Sequence, residues 1–478
     1  MENLGAYAAQ RLLANLAFEP TPGQSRMIGE LGAFLAADAD REIMLIKGYA
    51  GTGKTSLLRS LVLTLEEMKL RSVLLAPTGR AAKVLASYTG RPAFTIHKKI
   101  YRQKVGRDGM GEFVLDRNLH KRAVFVVDEA SMIGDRMADG RFGSGDLLGD
   151  LLQYVDGGEG CRLVLVGDTA QLPPVGLDLS PALDPERLQS YGYGVRDMEM
   201  TDVVRQSLDS GILQNATAIR ALIQNGESRI PDLHVGGHPD VELVSGEDLV
   251  EVLGSAYDRY GSGDTMVVTR SNKRANRFNA GIRSQILWRE AELSAGDLLM
   301  VVKNNYYWKD EEKRLDFIAN GDIVKVERLV RTESLHGFTF ATARVSFPDY
   351  DGMELEVKLL LDVIELESPS LSREQHMQLY ASVAEDYPDA GNKSQLSLKL
   401  AADPYFNALQ VKYAYAVTCH KAQGGQWKAV FFDQGYYTKD MMGLDYLRWL
   451  YTAFTRASEK LYLVNLSPEF LRTSDGSG

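Results

Sequence analysis

The stretch Gly-Tyr-Ala-Gly-Thr-Gly-Lys-Thr at 48–55 constrains this chain more than any other part of it. It fulfils G-x-x-x-x-G-K-[ST]. A short apolar, β-rich run at 43–47 precedes it, and Leu57, Leu58, Leu61, Val62, Leu65 and Met68 follow at helical spacing. Strand, loop and helix in that order let glycines at 48, 51 and 53 curl the backbone so that successive N–H groups, with Thr52 between them, point inward. Joined to a helix N-terminus, such a curl is an anion cradle. It predicts a site for the α- and β-phosphates of a nucleoside triphosphate, with Lys54 reaching the β- and γ-phosphates and the Thr55 hydroxyl joining Mg²⁺.

The same logic sets the fold class. Apolar runs at 43–47, 72–77, 123–128 and 162–167 alternate with helical patterns, and a second set follows at 265–269, 414–418, 429–433 and 461–465. That alternation predicts an α/β chain of two parallel-sheet units. Between the halves of the second set the texture changes. Residues from about 290 to 410 begin with alternating strands at 298–302, 322–327 and 339–347, separated by Gly, Asn and Asp turns, and continue as polar helix and loop over 371–400. A small β-barrel inserted in the second unit is the expectation.

Binding a triphosphate does not hydrolyse it; that needs an acid to hold the metal and a group to position water. The run AVFVVDEA ends a buried strand with adjacent acids, Asp128 for Mg²⁺ and Glu129 for the attacking water. Two carboxylates at the tip of an apolar strand are costly without a cation nearby. The next strand ends in GDTAQLPPVG, where Gln171 has the chemistry to sense a γ-phosphate and Asp168 to link neighbouring loops.

These motifs, with FEPTPGQ (18–24), APTGRAA (76–82), FTIHK (94–98), VVRQ (203–206), AVTCHKAQGGQW (416–427) and LYTAFTRA (450–457), resemble superfamily 1 helicases of the RecD- and Dda-like branch, which is related to the Pif-type enzymes. The resemblance runs from about residue 18 to 466. It implies that Gln24 reads adenine, that Gly424 belongs to the nucleotide site, and that Arg205 and Arg456 reach the γ-phosphate when the second domain closes. It also implies that Pro77, Thr78, His97, Thr418 and His420 contact single-stranded DNA. Lys421 and Gln423 either face the nucleotide or brace their motif. One departure is the Gly-rich RMADGRFGSGDLLGD after DEASM, where the Pif-type stretch is not found.

The resemblance further implies two RecA-like P-loop domains, residues 1–197 and 198–289 with 411–478, and an SH3-like barrel at 290–410. Within the first domain, 98–122 reads as a β-hairpin around RDGMG and takes the place of a wedge. The expected activity is ATP- and Mg²⁺-dependent travel on single-stranded DNA, 5′-to-3′, opening the duplex at single/double-strand junctions. A switch ATPase that clamps a protein partner, or a translocase acting on RNA or bound proteins, are the rival readings.

Charge is neutral on this point. The net charge of −10 argues mildly against a nucleic-acid binder. Yet residues 98–122 carry eight Lys and Arg against three acids, and Arg270, Lys273, Arg274, Arg277 and Arg283 stand in a stretch with no acid, either tracks for DNA or solvated faces. The aromatic run Tyr306, Tyr307, Trp308 suits either base stacking or the barrel core, and Asn320-Gly321-Asp322 either a family turn or an ordinary hairpin turn. Two cysteines, Cys161 and Cys419, make no disulfide framework, and no run of eighteen apolar residues occurs. A cytoplasmic monomer is the expectation, with no membrane contact.

Overall fold

A computed structural model of the chain describes residues 2–37, 41–105, 111–134, 143–203, 209–308 and 317–471. The first sheet is built from β1 (Glu42–Gly48), β2 (Arg71–Ala76) and β3 (Ala93–Thr95). A separate hairpin, β4 (Tyr101–Val105) and β5 (Gly111–Leu115), follows, and then β6 (Ala123–Val127), β7 (Arg162–Gly167) and β8 (Gly194–Met200) return to the sheet. The order β3-β2-β6-β7-β1-β8 is parallel at every pairing. Alternate residues of the central strands feed two cores on opposite faces. Leu45, Leu75, Phe125 and Leu165 lie in one, and Met44, Leu74, Val126 and Val164 in the other. A sheet buried on both sides needs runs without polar breaks, which is why these strands are readable in the sequence.

The second sheet combines β9 (Val241–Val244) and β10 (Thr265–Thr269) with three strands from the end of the chain. Between them a closed barrel is formed by β11 (Leu298–Val301), β12 (Ile323–Leu335), β13 (Phe338–Phe347), β14 (Met353–Leu360) and β15 (Leu409–Tyr413). Helices Arg373–Glu385 and Lys393–Ala401 lie between β14 and β15. The chain then returns as β16 (Ala416–Thr418), β17 (Trp427–Asp433) and β18 (Ala457–Val464), giving the parallel order β16-β10-β17-β18-β9. The expected strand at 414–418 is thus shorter than read. The apolar run from Leu409 is divided between barrel and sheet where Asn279 binds the Tyr415 and Ala416 amides (3.1 and 2.8 Å).

The hairpin is present, with Tyr101 opposite Leu115 and Gln103 opposite Phe113; its centre, 106–110, lies outside the described residues. Its base is anchored by the Tyr101 hydroxyl, which donates to Asp150 Oδ2 (2.7 Å). Phe113 packs on Tyr306 of the barrel (ring centroids 4.2 Å apart), and Tyr306 on Phe317 (5.2 Å). The aromatic run therefore joins hairpin to barrel, and Trp308 is tied by its indole N–H to the Asn407 carbonyl (2.9 Å).

The barrel also meets the first domain. The turn at 320–322 puts Gly321 at φ +94° and buries Asp322, which accepts the Ala319 N–H (2.7 Å). Burial pushes that carboxyl up to about 7. A Cβ on Gly79 would fall 2.5 Å from Asp322 Oδ1 and 2.8 Å from the Tyr350 hydroxyl, so a larger residue here would have to displace these two side chains. Lys83 pairs with Asp349 beside it (3.3 Å).

Much of the basic stretch at 270–283 serves its own domain. Arg274 pairs with buried Asp433, Arg283 with buried Asp297 (3.0 Å), and Arg270 lies over the Tyr446 ring (5.4 Å). Arg270, Lys273, which pairs at the surface with Glu367 (3.4 Å), and Arg277 remain exposed. No helix among the described residues is long and apolar enough to cross a membrane.

Candidate nucleotide site and strand-contacting face

The loop after β1 has the shape its glycines predict. Gly51 and Gly53 are left-handed (φ +76° and +86°), and a Cβ on Gly48 would press on the Lys54 side chain at 2.9 Å. Helix Lys54–Glu67 starts from the loop, leaving Thr55 exposed in its first turn. Lys54 Nζ donates to the carbonyls of Gly48 (2.6 Å) and Tyr49 (2.9 Å) and lies 3.7 Å from Asp168 Oδ2. Thr52 is fully buried and bonds the Tyr49 carbonyl (2.8 Å). Gln24 is committed at both ends of its amide: Oε1 accepts the Thr21 N–H (3.0 Å) and Nε2 donates to the Thr52 carbonyl (2.9 Å). It braces the loop, and reading adenine requires it to exchange one of these bonds.

Asp128 and Glu129 follow β6. Asp128 Oδ2 accepts the Tyr88 hydroxyl (2.6 Å), and Oδ1 accepts the Glu129 N–H (2.8 Å). Glu129 stands at φ +54°, a conformation costing on the order of 1–3 kcal/mol for a residue with a side chain and concentrated at functional sites. Burial pushes both carboxyls up; Tyr88, the Glu129 amide and Lys54 pull Asp128 back, while Arg456 and Lys54 pull Glu129 back. Such a pair calls for a divalent cation. Gln171 is buried and its Oε1 has no partner among the described residues. A buried orphan acceptor here fits a substrate oxygen or an attacking water.

Arg456 comes from the second domain, just beyond helix Leu444–Phe454. It is 3% exposed and donates to the carbonyls of Thr452 (3.0 Å) and Gly425 (3.2 Å) and to the Thr455 hydroxyl (3.2 Å). It makes no ion pair among the described residues, so its charge acts on Glu129 instead. Arg205 lies outside the described residues.

On the other face, Pro77 and Thr78 follow β2, and Thr78 Oγ1 caps helix Gly79–Thr89 by accepting the Ala81 N–H (3.2 Å). Thr418 and exposed His420 flank and begin the turn Cys419–Ala422 after β16. Gly424 joins the two segments: at φ +72° its Cβ would be 3.0 Å from both Thr78 Oγ1 and the Ala81 methyl. It therefore sits at the seam between the Thr78 and His420 segments, where its left-handed backbone and the close Thr78 and Ala81 side chains favour glycine. His97 is half-buried, packs near Tyr101 (5.8 Å), and is pushed down to about 4 by burial, hence neutral at pH 7.

The chain matches two known domain families, the AAA domain over residues 21–229 and the UvrD-like helicase C-terminal domain over residues 413–464. It is 26% identical to the ATP-dependent RecD2 DNA helicase of Deinococcus radiodurans, covering 93% of this chain and 50% of that protein. It is also 26% identical to the ATP-dependent DNA helicase dda of Enterobacteria phage T4, over 79% of this chain and 84% of that one. A solved structure of Pif1 helicase on forked dsDNA aligns at 15% identity and TM-score 0.47, covering 96% of this chain and 95% of its own.

These matches make the chain similar to RecD- and Dda-like superfamily 1 helicases over most of its length. It spans half the length of its RecD2 relative.

The structure gives contacts to residues whose roles the motifs left open and adds groups that motif reading left out. Gln423 braces: its Nε2 donates to the Leu172 carbonyl (2.6 Å). Thr452 accepts the Leu172 N–H (2.8 Å), and the Tyr451 hydroxyl enters the phosphate loop from the second domain. Lys421 and Lys412 lie together beside Thr418, Asn272 and Asn276. Burial lowers Lys412 to about 8, and burial together with the charge of Lys412 lowers Lys421 to about 8. Motif order does not reveal such pairs, because Tyr451 meets Ala50 across 401 residues of chain and Asp168 across 283.

Proposed function

We propose that this chain is an ATP-dependent DNA helicase, coupling hydrolysis between its two α/β domains to 5′-to-3′ travel on single-stranded DNA. The observation that carries this reading is Arg456. A buried cation of the second domain, without an ion pair among the described residues, acts on the Glu129 carboxyl of the first. In the proposed cycle the loop amides and Lys54 hold the phosphates; Thr55 and Asp128 are the residues that would hold Mg²⁺, which would supply neutralising charge to the phosphate oxygens. Glu129 takes the proton of the attacking water, Gln171 orients it, and Arg456, with Arg205, stabilises the charge that develops. Closing the second domain brings Thr418 and His420 toward Pro77 and Thr78 through the Gly424 seam, so each turnover alternates grip on the strand. His97 contributes as a neutral donor, and the hairpin β4–β5, braced on Asp150 and Tyr306, is the wedge at the junction.

The test is ATPase activity with and without oligo(dT), followed by unwinding of 5′-tailed and 3′-tailed duplexes in DNA and RNA versions. DNA-stimulated hydrolysis with unwinding from the 5′ tail is expected. Hydrolysis indifferent to nucleic acid returns the reading to a switch ATPase.

Lys412 and Lys421 give the proposed strand contact a pH dependence. A lysine at about 8 is charged below that pH and neutral above it, so its attraction for phosphate is present at pH 7 and is lost as pH rises through 8. Affinity for oligo(dT) at fixed salt is expected to fall several-fold, on the order of the tenfold set by one lost phosphate contact, between pH 7 and 9. Lys421→Arg, which stays protonated, should flatten the fall; fluorescence anisotropy across that range checks it.

A further inference from the structure

The second domain enters the phosphate site with a group other than its arginines. The Tyr451 hydroxyl, on helix Leu444–Phe454, accepts the Ala50 N–H of the phosphate loop (2.8 Å) and donates to Asp168 Oδ2 (2.7 Å). A phenol has one proton and free lone pairs, so it makes both bonds at once. Asp168 Oδ2 is also the oxygen 3.7 Å from Lys54 Nζ, and Oδ1 accepts the Ala170 N–H (3.0 Å). The next residue on the helix, Thr452, accepts the Leu172 N–H (2.8 Å), while Gln423 donates to the Leu172 carbonyl (2.6 Å). The turn from Asp168 to Leu172, which carries Gln171, is therefore held from the second domain at both ends. Tyr451 is 1% exposed and Asp168 1%, so water does not substitute for these bonds.

We propose that Tyr451 is a positioning residue whose hydroxyl fixes the phosphate loop and the Gln171 turn in one frame set by the second domain. This rests on the ATPase reading above and deepens it. Displacement of helix Leu444–Phe454 moves Ala50 and Asp168 together, so Lys54 and Gln171 reach productive positions only when that helix is seated. Arg456 supplies charge to the reaction; Tyr451 supplies register. Loss of register acts on turnover more than on binding, because Lys54 and the loop glycines remain.

The experiment compares parent, Tyr451→Phe and Thr452→Val in the full chain. Each substitution removes a hydroxyl with little change of volume. Tyr451→Phe is expected to lower DNA-stimulated kcat by about 10–100-fold, the scale of a misplacement near 1 Å, with KM for ATP and affinity for a fluorescent ADP analogue changed less than about threefold. Thr452→Val should fall in the same direction, and the melting curve of each variant reports whether the fold is kept. A double-mutant cycle of Tyr451→Phe with Asp168→Asn should be non-additive, the double variant losing no more than the worse single one. Parental kcat in Tyr451→Phe, a loss confined to KM, or additive losses in the cycle would each overturn the assignment. If the parent itself does not hydrolyse ATP with oligo(dT) present, the functional reading fails first and this role with it. If the parent hydrolyses and Tyr451→Phe matches it, only the positioning role fails.

Discussion

Glu129→Gln is expected to bind ATP close to parental affinity and to lose about 10²–10⁴-fold in DNA-stimulated turnover, the range for removing a positioned general base. The substitution keeps shape and hydrogen-bonding length but removes the proton acceptor. Two features make this residue the choice over its neighbour. Asp128 already accepts from Tyr88 and from the Glu129 amide, whereas the Glu129 carboxyl makes no such bond among the described residues and its backbone is held at φ +54°. Burial raises the Glu129 carboxyl and Arg456 opposes the rise, which moves its pKa from that of an ordinary carboxylate toward the working pH, where a base is most effective. Single-turnover hydrolysis with saturating oligo(dT), beside titration of a fluorescent ATP analogue, measures the two quantities separately. Turnover at the parental rate removes Glu129 from the chemistry.

The parts legible in the sequence were those whose physics is local. Gly51 and Gly53 need left-handed backbone within one loop, and the buried strands β1, β6 and β7 need uninterrupted apolar runs, so both could be read before any coordinates. The polar edge strand β8, with Arg196, Asp197 and Glu199 among its seven residues, has one neighbour and no pattern to announce it. The boundary between barrel and second sheet was hidden for the opposite reason. Leu409 to Thr418 is nearly one apolar run, and its division depends on Asn279, more than a hundred residues earlier.

The site divides along the same line. Lys54, Asp128, Glu129 and Gln171 sit on loops of one sheet, and each stands in a short motif. The second domain's contributions were legible only as motif positions. Asp168 could be expected to link loops, but that its partner is Tyr451 depends on how two domains meet. Gly424 was expected at the nucleotide because of the motif it sits in; its packing against Thr78 and Ala81 is a contact the motif does not announce. Local charge left its stretch undecided for a related reason. Arg274 and Arg283 lie in an acid-free stretch, yet their acids, Asp433 and Asp297, arrive from other elements.

Arg456→Ala is expected to cut turnover by about 10³-fold or more, the lower end for an arginine that stabilises a transferring phosphoryl group, with a smaller loss of ATP affinity. The side chain also donates to Thr452, Gly425 and Thr455, so some loss of stability, on the order of 1–3 kcal/mol for buried acceptors left unpaired, should accompany it. Two measurements separate the roles. Arg456→Lys keeps the charge while losing most of those bonds, and a mainly electrostatic role predicts that it recovers part of the turnover without recovering all of the stability. The second measurement is the pH–rate profile. Arg456 is the leading influence opposing the upward push of burial on Glu129. Without it the Glu129 carboxyl rises further, so its base form disappears at a higher pH on acidification. The acid limb of the profile for Arg456→Ala should therefore move to higher pH, while that of Arg456→Lys stays near the parental position. An unmoved acid limb with a large loss of turnover would leave Arg456 acting on the phosphoryl group alone and remove its charge from the tuning of Glu129. Parental turnover in Arg456→Ala would end the finger assignment.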